Sequence, residues 1–272
     1  MTGVILALVE HPDVALNTLT TARQLAKLMG SARINVLAVR IPPESTIFPS
    51  EEVLTDQRAQ QIRDREQTRV AVLHRIFDSW AEGARGADVV IDWFDIEGLA
   101  DTVVSEWGRR ADVVVLNRHA QQGRATERLA LQAALFETDR PVLVAPPEPV
   151  ATMGRRVAIA WRDDPRTIKS VLASLRLLSG AEEVHLLAGV REGKPPPGVP
   201  AILSEHGIAA TLHILPIGSD PFGETLLKAA HGVGADILVM GAYTHSPWRE
   251  LILGGVTRYM LTHADIPVFM RH

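Results

Sequence analysis

The chain repeats itself in order. Asp101-Thr-Val-Val, followed by Arg110-Ala-Asp-Val-Val-Val-Leu116, parallels Glu224-Thr-Leu-Leu, followed by Gly234-Ala-Asp-Ile-Leu-Val-Met240; later, Asp139-Arg-Pro-Val-Leu-Val parallels Asp265-Ile-Pro-Val-Phe-Met. A duplicated module dictates two copies of one supersecondary unit, and 272 residues accommodate two modules of about 130. Between the copies, Ala145-Pro-Pro-Glu-Pro-Val-Ala-Thr-Met-Gly154 carries three prolines that cannot enter a helix interior, so it reads as an extended linker. The expected modules are 1–148 and 155–272.

Each copy alternates strand and helix signals. Val4 to Val9 is an apolar run bounded by His11, Pro12 and Asp13, and Leu16, Leu19, Ala22, Ala26 and Met29 follow at helical spacing. Gly30 stands where a helix ends, and the β-branched run from Ile34 to Val39 completes a βαβ unit. The charged stretch from Glu51 to Trp80 has no Pro or Gly and predicts a long helix. Further strands are expected at 89–94, 113–116 and 141–145, with a helix at 100–110. The second copy restarts with a strand at 157–161, a helix at 167–178 and strands at 184–188, 211–215, 236–240 and 267–270. Asp164-Pro165 and Asp220-Pro221 both read as an N-cap with Pro at the first helical position. Such alternation implies an α/β fold, a mainly parallel sheet covered on both faces.

Composition narrows the functions. The net charge of −4, from 28 basic and 32 acidic residues, supplies no cationic field for a nucleic-acid backbone. No apolar run approaches the roughly 20 residues of a bilayer span, and the start has neither a basic leader nor a cleavage site, so no membrane partner is expected. The absence of cysteine excludes disulfides and thiolate chemistry and points to the cytoplasm. The ten histidines show no metal-ligand spacing, so no metal is expected. His245 beside Ser246 has no third group to orient the imidazole, and Asp163 with Asp164 is better read as a helix cap than as an acid–base pair, so no catalytic residue is expected.

Ligands of open α/β sheets bind beyond the carboxyl ends of the strands. Neither GxGxxG nor GxxxxGK[ST] occurs, which disfavours nicotinamide cofactors and P-loop chemistry. The glycines able to approach a phosphate lie in Met240-Gly-Ala-Tyr-Thr-His-Ser-Pro-Trp-Arg-Glu-Leu-Ile-Leu-Gly-Gly-Val-Thr257. Gly241 ends a strand, and Gly254 and Gly255 open a helix whose free N–H groups and dipole favour an anion. The same glycines also fit a plain turn and close helix–sheet packing.

Those residues resemble the universal stress protein family in its tandem form. The resemblance is carried by Gly234-Ala-Asp-Ile-Leu-Val-Met-Gly-Ala-Tyr-Thr-His-Ser, by Arg249-Glu-Leu-Ile-Leu-Gly-Gly-Val-Thr-Arg and by His263-Ala-Asp-Ile-Pro-Val. It implies, in each module, a five-stranded parallel sheet in the order 3-2-1-4-5 with helices on both faces. It also implies that ATP or a related adenine nucleotide is bound in some members. The family's nucleotide motif falls on Gly241, Thr244, Gly254 and Gly255; the first and third fit, whereas Thr244 replaces a Gly and Gly255 replaces a hydroxyl residue that Thr257 could supply. His245, Ser246 and Val256 lie in the same phosphate loop and helix start, Arg162 stands where the family carries an acidic residue near the adenosine, and Gly189 falls on the backbone that meets the adenine. The first module lacks the motif, and its loop carries Arg118, Arg124 and Arg128 instead, so no nucleotide is expected there.

The resemblance thus implies a cytoplasmic stress-response protein that is no enzyme, with its second module the candidate for a nucleotide. The alternative is an interaction scaffold on the same fold that binds no nucleotide, with slow ATP hydrolysis a distant third. Family dimers imply an intrachain pseudo-dimer through the final strand of each module and leave room for a homodimer of the whole chain.

Overall fold

The computed structural model describes residues 3–30, 32–46, 54–86, 89–118, 125–218, 221–242 and 255–272. They form two compact units, one of residues 1–117 and 122–140, the other of 118–121 and 141–272. In the first unit, β1 (Gly3–Leu8), α1 (Pro12–Leu28), β2 (Ala32–Arg40), a 3-10 turn (Pro43–Thr46), α2 (Asp56–Ala84), β3 (Val89–Glu97), α3 (Ala100–Gly108), β4 (Val113–Asn117) and α4 (Ala125–Phe136) follow in order. Its strands lie β3-β2-β1-β4, all parallel, with Ile5 opposite both Ile34 and Val113.

The second unit contains β5 (Val142–Ala145), β6 (Arg156–Trp161), α5 (Pro165–Leu178), β7 (Glu183–Val190), α6 (Ala201–Glu205), β8 (Thr211–Pro216), α7 (Phe222–Gly232), β9 (Ile237–Gly241), α8 (Gly255–His263) and β10 (Val268–Arg271). Strands β8-β7-β6-β9-β10 are parallel, in the order 3-2-1-4-5, and β5 adds to β10 as an antiparallel neighbour with Val144 opposite Val268. Every residue of β4 and β5 is buried, as strands covered on both faces of the sheet must be.

Helix termini follow their local chemistry. Pro12 begins α1, whose Leu19, Ala22, Leu25 and Ala26 form the buried stripe, and Gly30 leaves it at φ +83°, where a side chain would be strained. Thr55 caps α2 by accepting the Arg58 N–H at 3.3 Å. That helix runs four residues beyond the predicted Trp80, and Val70, Leu73, Phe77, Ala81 and Ala84 keep its stripe against the sheet to the end. Asp164 caps α5 as expected, accepting from the backbone of Arg166 and Thr167. Helix α7 starts one residue later than predicted, with Pro221 at its cap, and Asp220 lies outside the described residues. The five-residue α6 gives no period to read in the sequence, being barely more than one turn behind a run of prolines. No helix among the described residues is long and apolar enough to cross a membrane.

The repeated Ala-Asp pair has a mechanical role. In the second unit the Asp236 carboxylate accepts the backbone N–H groups of Gly154, Arg155 and Arg156 at 2.9, 3.1 and 3.2 Å, and its own N–H donates to the Arg156 carbonyl at 2.9 Å. In the first unit Asp112 does the same for Val4, accepting its N–H at 2.8 Å and donating to its carbonyl at 2.7 Å. The preceding Ala111 and Ala235 are buried at the strand entrance. Hydrogen bonds to a charged acceptor contribute roughly 1.5–3 kcal/mol. We therefore expect Asp236→Ala to destabilise the protein by about 2 kcal/mol in urea unfolding, with Asp236→Asn intermediate because its amide oxygen still accepts.

Candidate functional site

The carboxyl ends of β6, β7, β9 and β10 frame the site in the second unit. Strand β6 ends in Trp161, and Arg162 follows, 55% exposed, with its Nε 2.7 Å from Asp164 Oδ2. Asp164 Oδ1 simultaneously accepts from the N–H groups of Arg166 and Thr167, at 3.0 and 2.9 Å. Burial alone would raise the Asp164 pKa, but the bonds from Thr167, Arg162 and Arg166 outweigh it and hold the carboxyl below its ordinary value. Arg162 is thus a clasp on a helix cap rather than a lone cation.

Gly241 ends β9 against that same helix start. A Cβ on it would sit 3.7 Å from Thr167 N and from Arg166 C, an ordinary contact, so the glycine gives a close approach that the backbone does not strictly require. The next N–H, of Ala242, donates to the Arg271 carbonyl at 2.8 Å. Positive charge gathers at this end of the sheet. His272 has its pKa lowered first by burial and then by repulsion from Arg166 and Lys169.

Gly255 is the first described residue of α8, the helix that the glycine pair predicts. Gly255 is exposed, a Cβ placed on it would meet none of the described residues within 4 Å, Val256 is half-buried and Thr257 is buried. Thr244, His245, Ser246 and Gly254 lie outside the described residues. Gly189 serves packing: a Cβ there would lie 2.5 Å from Phe222 Cζ and 3.1 Å from Ile217 Cδ1. The Trp161 indole N–H donates to the Gly198 carbonyl at 2.9 Å, tying the proline-rich stretch after β7 to the end of β6. Gly241 and the Asp164 cap are thus brought together, while Gly189 is covered by the first residue of α7.

The first unit fills the corresponding place with its own side chains. Arg69, on α2, donates Nη1 to the Glu10 carbonyl at 2.8 Å and Nη2 to the Val39 carbonyl at 2.5 Å, bridging the ends of β1 and β2. Glu66 pairs with it at 2.7 Å and also accepts the Ile41 N–H at 3.2 Å, and the two side chains are mostly buried, 15 and 14% exposed. Sequence reasoning missed this pair. Its one signal is that Glu66 continues the stripe of Val70, Leu73 and Phe77, a charged residue on a buried face.

A sequence model of the universal stress protein family matches residues 113–272, more than half of the chain. The chain belongs to the universal stress protein family. Its fold is shared with a crystal structure of a universal stress protein from Archaeoglobus fulgidus DSM 4304, at 14% identity and a TM-score of 0.66 over 98% of this chain and 95% of that one. A Pseudomonas aeruginosa UCBPP-PA14 chain provisionally named a universal stress protein has 13% identity and a TM-score of 0.63, covering 99% of this chain and 93% of its own. No protein of curated function gives a significant sequence match. The likeness to both structures extends over both halves of this universal stress protein, including the part before residue 113 that the family model does not reach.

Two outcomes follow from the geometry. Removing one partner of a mostly buried ion pair strands the other charge, so Arg69→Met should lower stability by about 3 kcal/mol in urea unfolding, and a combined Arg69→Met/Glu66→Leu change should recover most of it. Because the folded Asp164 pKa is depressed, its stabilisation is fully present above the unfolded value of 3.8 and is lost as pH falls through the folded value. Asp164→Asn should therefore flatten the acid side of the stability profile below pH about 4, while Asp164→Ala also removes a cap of about 1 kcal/mol.

Proposed function

We propose that this universal stress protein acts as a non-enzymatic stress-response protein of the cytoplasm, built from modules 1–148 and 155–272. In this reading its second module alone takes an adenine nucleotide such as ATP. The supporting observation is the asymmetry between the two sets of strand ends. In the first module the ends of β1 and β2 are spanned by Arg69 and Glu66, whose charges already satisfy one another and the local backbone. In the second, none of the described residues crowds Gly255 in α8, and Arg166 and Lys169 stand close enough to His272 to repel its proton. A helix start favours a polyanion such as a triphosphate, and cationic side chains at the same end of the sheet add to that preference.

The phosphate end of a nucleotide fits these residues better than the base does. Phe222 lies over Gly189, so an adenine cannot use that face of β7 without displacing it. The same contact favours the second reading, a scaffold that binds a partner and no nucleotide. Both readings require no catalysis, and the residues assigned to the nucleotide reading are Gly241, Gly255, Val256 and Thr257, together with Thr244, His245, Ser246 and Gly254 from the motif, and Arg162 and Gly189 at the strand ends.

Calorimetric titration of ATP into the full chain separates the readings. Gly255→Ser supplies the family hydroxyl, and no described residue lies within 4 Å of the Cβ it adds. A hydrogen bond to a charged group contributes roughly 1.5–3 kcal/mol, or about 10- to 100-fold in affinity. Gly255→Ser combined with Thr244→Gly should therefore bind ATP at least tenfold more tightly than the parent. Absence of binding by parent and variant alike would leave the scaffold reading, and tight binding by the parent unimproved in the variant would show a different phosphate cradle.

A further inference from the structure

Two histidines on neighbouring strands of the second unit face each other away from the strand ends. His185 is the third residue of β7, and β7 and β8 run in a register that sets His185 against Thr211 and Leu187 against His213. His185 and His213 are therefore a diagonal pair on one face of the sheet, near enough for imidazoles to meet. Nδ1 of His185 and Nε2 of His213 are 3.1 Å apart, with the rings tilted 55° to each other. The other nitrogen of His185, Nε2, is 3.2 Å from Glu183 Oε2, and the second Glu183 oxygen is held by Arg156 Nε at 3.2 Å. The His185 side chain is only 12% exposed, so its ring orientation is fixed by these neighbours.

We propose that His185 and His213 form a site for a divalent transition-metal ion, with Zn²⁺ as its representative and water completing the coordination. Two zinc–nitrogen bonds of about 2.05 Å at a tetrahedral angle set their donor atoms about 3.3 Å apart, close to the separation found here. Glu183 supplies the outer support typical of such sites: by accepting the Nε2 proton of His185 it leaves the Nδ1 lone pair directed at His213. Without metal, His213 donates its Nε2 proton to that lone pair. Metal binding moves that proton to Nδ1 of His213 through exchange with water, so both imidazoles stay neutral and each gives one lone pair to the ion. Imidazole donors suit zinc, copper and nickel rather than calcium or magnesium. Among the described residues no group of three or more imidazoles and carboxylates converges, so the site offers two protein ligands. It lies at the β7–β8 edge and does not depend on the nucleotide reading.

The test is titration of ZnCl₂ into the full chain after chelator treatment, read by calorimetry, with His185→Ala, His213→Ala, Glu183→Gln and the exposed control His206→Ala. One binding event should disappear in either of the first two variants, weaken about tenfold in Glu183→Gln and persist in His206→Ala. Long-range ¹H–¹⁵N correlation of the parent's imidazoles reports the same event without substitution: zinc should shift His185 Nδ1 and His213 Nε2 together. No zinc binding by the parent, retention of the event in both histidine variants, or zinc-induced shifts confined to other imidazoles would each overturn the proposal and reduce the pair to a simple hydrogen bond.

Discussion

Asp112 and Asp236 determine where the central strand of each sheet enters. A parallel pair has no hairpin to set its register, and the sliding of one apolar strand along another is opposed only by side-chain fit and by whatever fixes an end. In each unit that end is fixed by a carboxylate holding the backbone of the first central-strand residues, Val4 in one case and Gly154 to Arg156 in the other. With the entrance set, the exits of β1 and β4, and of β6 and β9, are set as well, and so is the spacing of the loops that carry any ligand. The chemistry at the carboxyl ends therefore depends on hydrogen bonds at the amino ends.

What differs between the units is how the second strand is connected to the third. In the first, residues 41–88 include the whole of α2, and that helix brings Arg69 to the exits of β1 and β2. In the second, residues 191–210 carry only the short α6 and a proline-rich stretch anchored by Trp161. A guanidinium satisfied by two carbonyls and a carboxylate has little left to offer a ligand. Duplication followed by a longer crossover is enough to make two similar modules chemically unequal.

The parts of this fold legible in the sequence are those governed by neighbours along the chain. The Asp164-Pro165 cap and the glycine exit at Gly30 both rest on local backbone preference, and each is found where the residues indicated. The repeat was visible as a match of letters, but the purpose of its Ala-Asp pair appears only when residues distant in sequence supply the donors. Gly189 shows the limit more sharply. Phe222 rests on it, and no local pattern along the chain links those two positions. Arg69 and Glu66 were hidden in the same way, among many charged residues of a helix whose exposed face looks alike along its length.

The antiparallel addition of β5 to β10 has a consequence for dividing the protein. Val142 to Val144 occupy the hydrogen-bonding groups along β10, yet they precede the proline-rich linker that the sequence offers as the natural cut. A fragment begun after that linker would present β10 as a bare sheet margin, the kind of surface that recruits a second copy or seeds aggregation. Expression of the second half as a well-behaved monomer thus calls for a start before Pro141, so that the fragment carries its own edge strand with it.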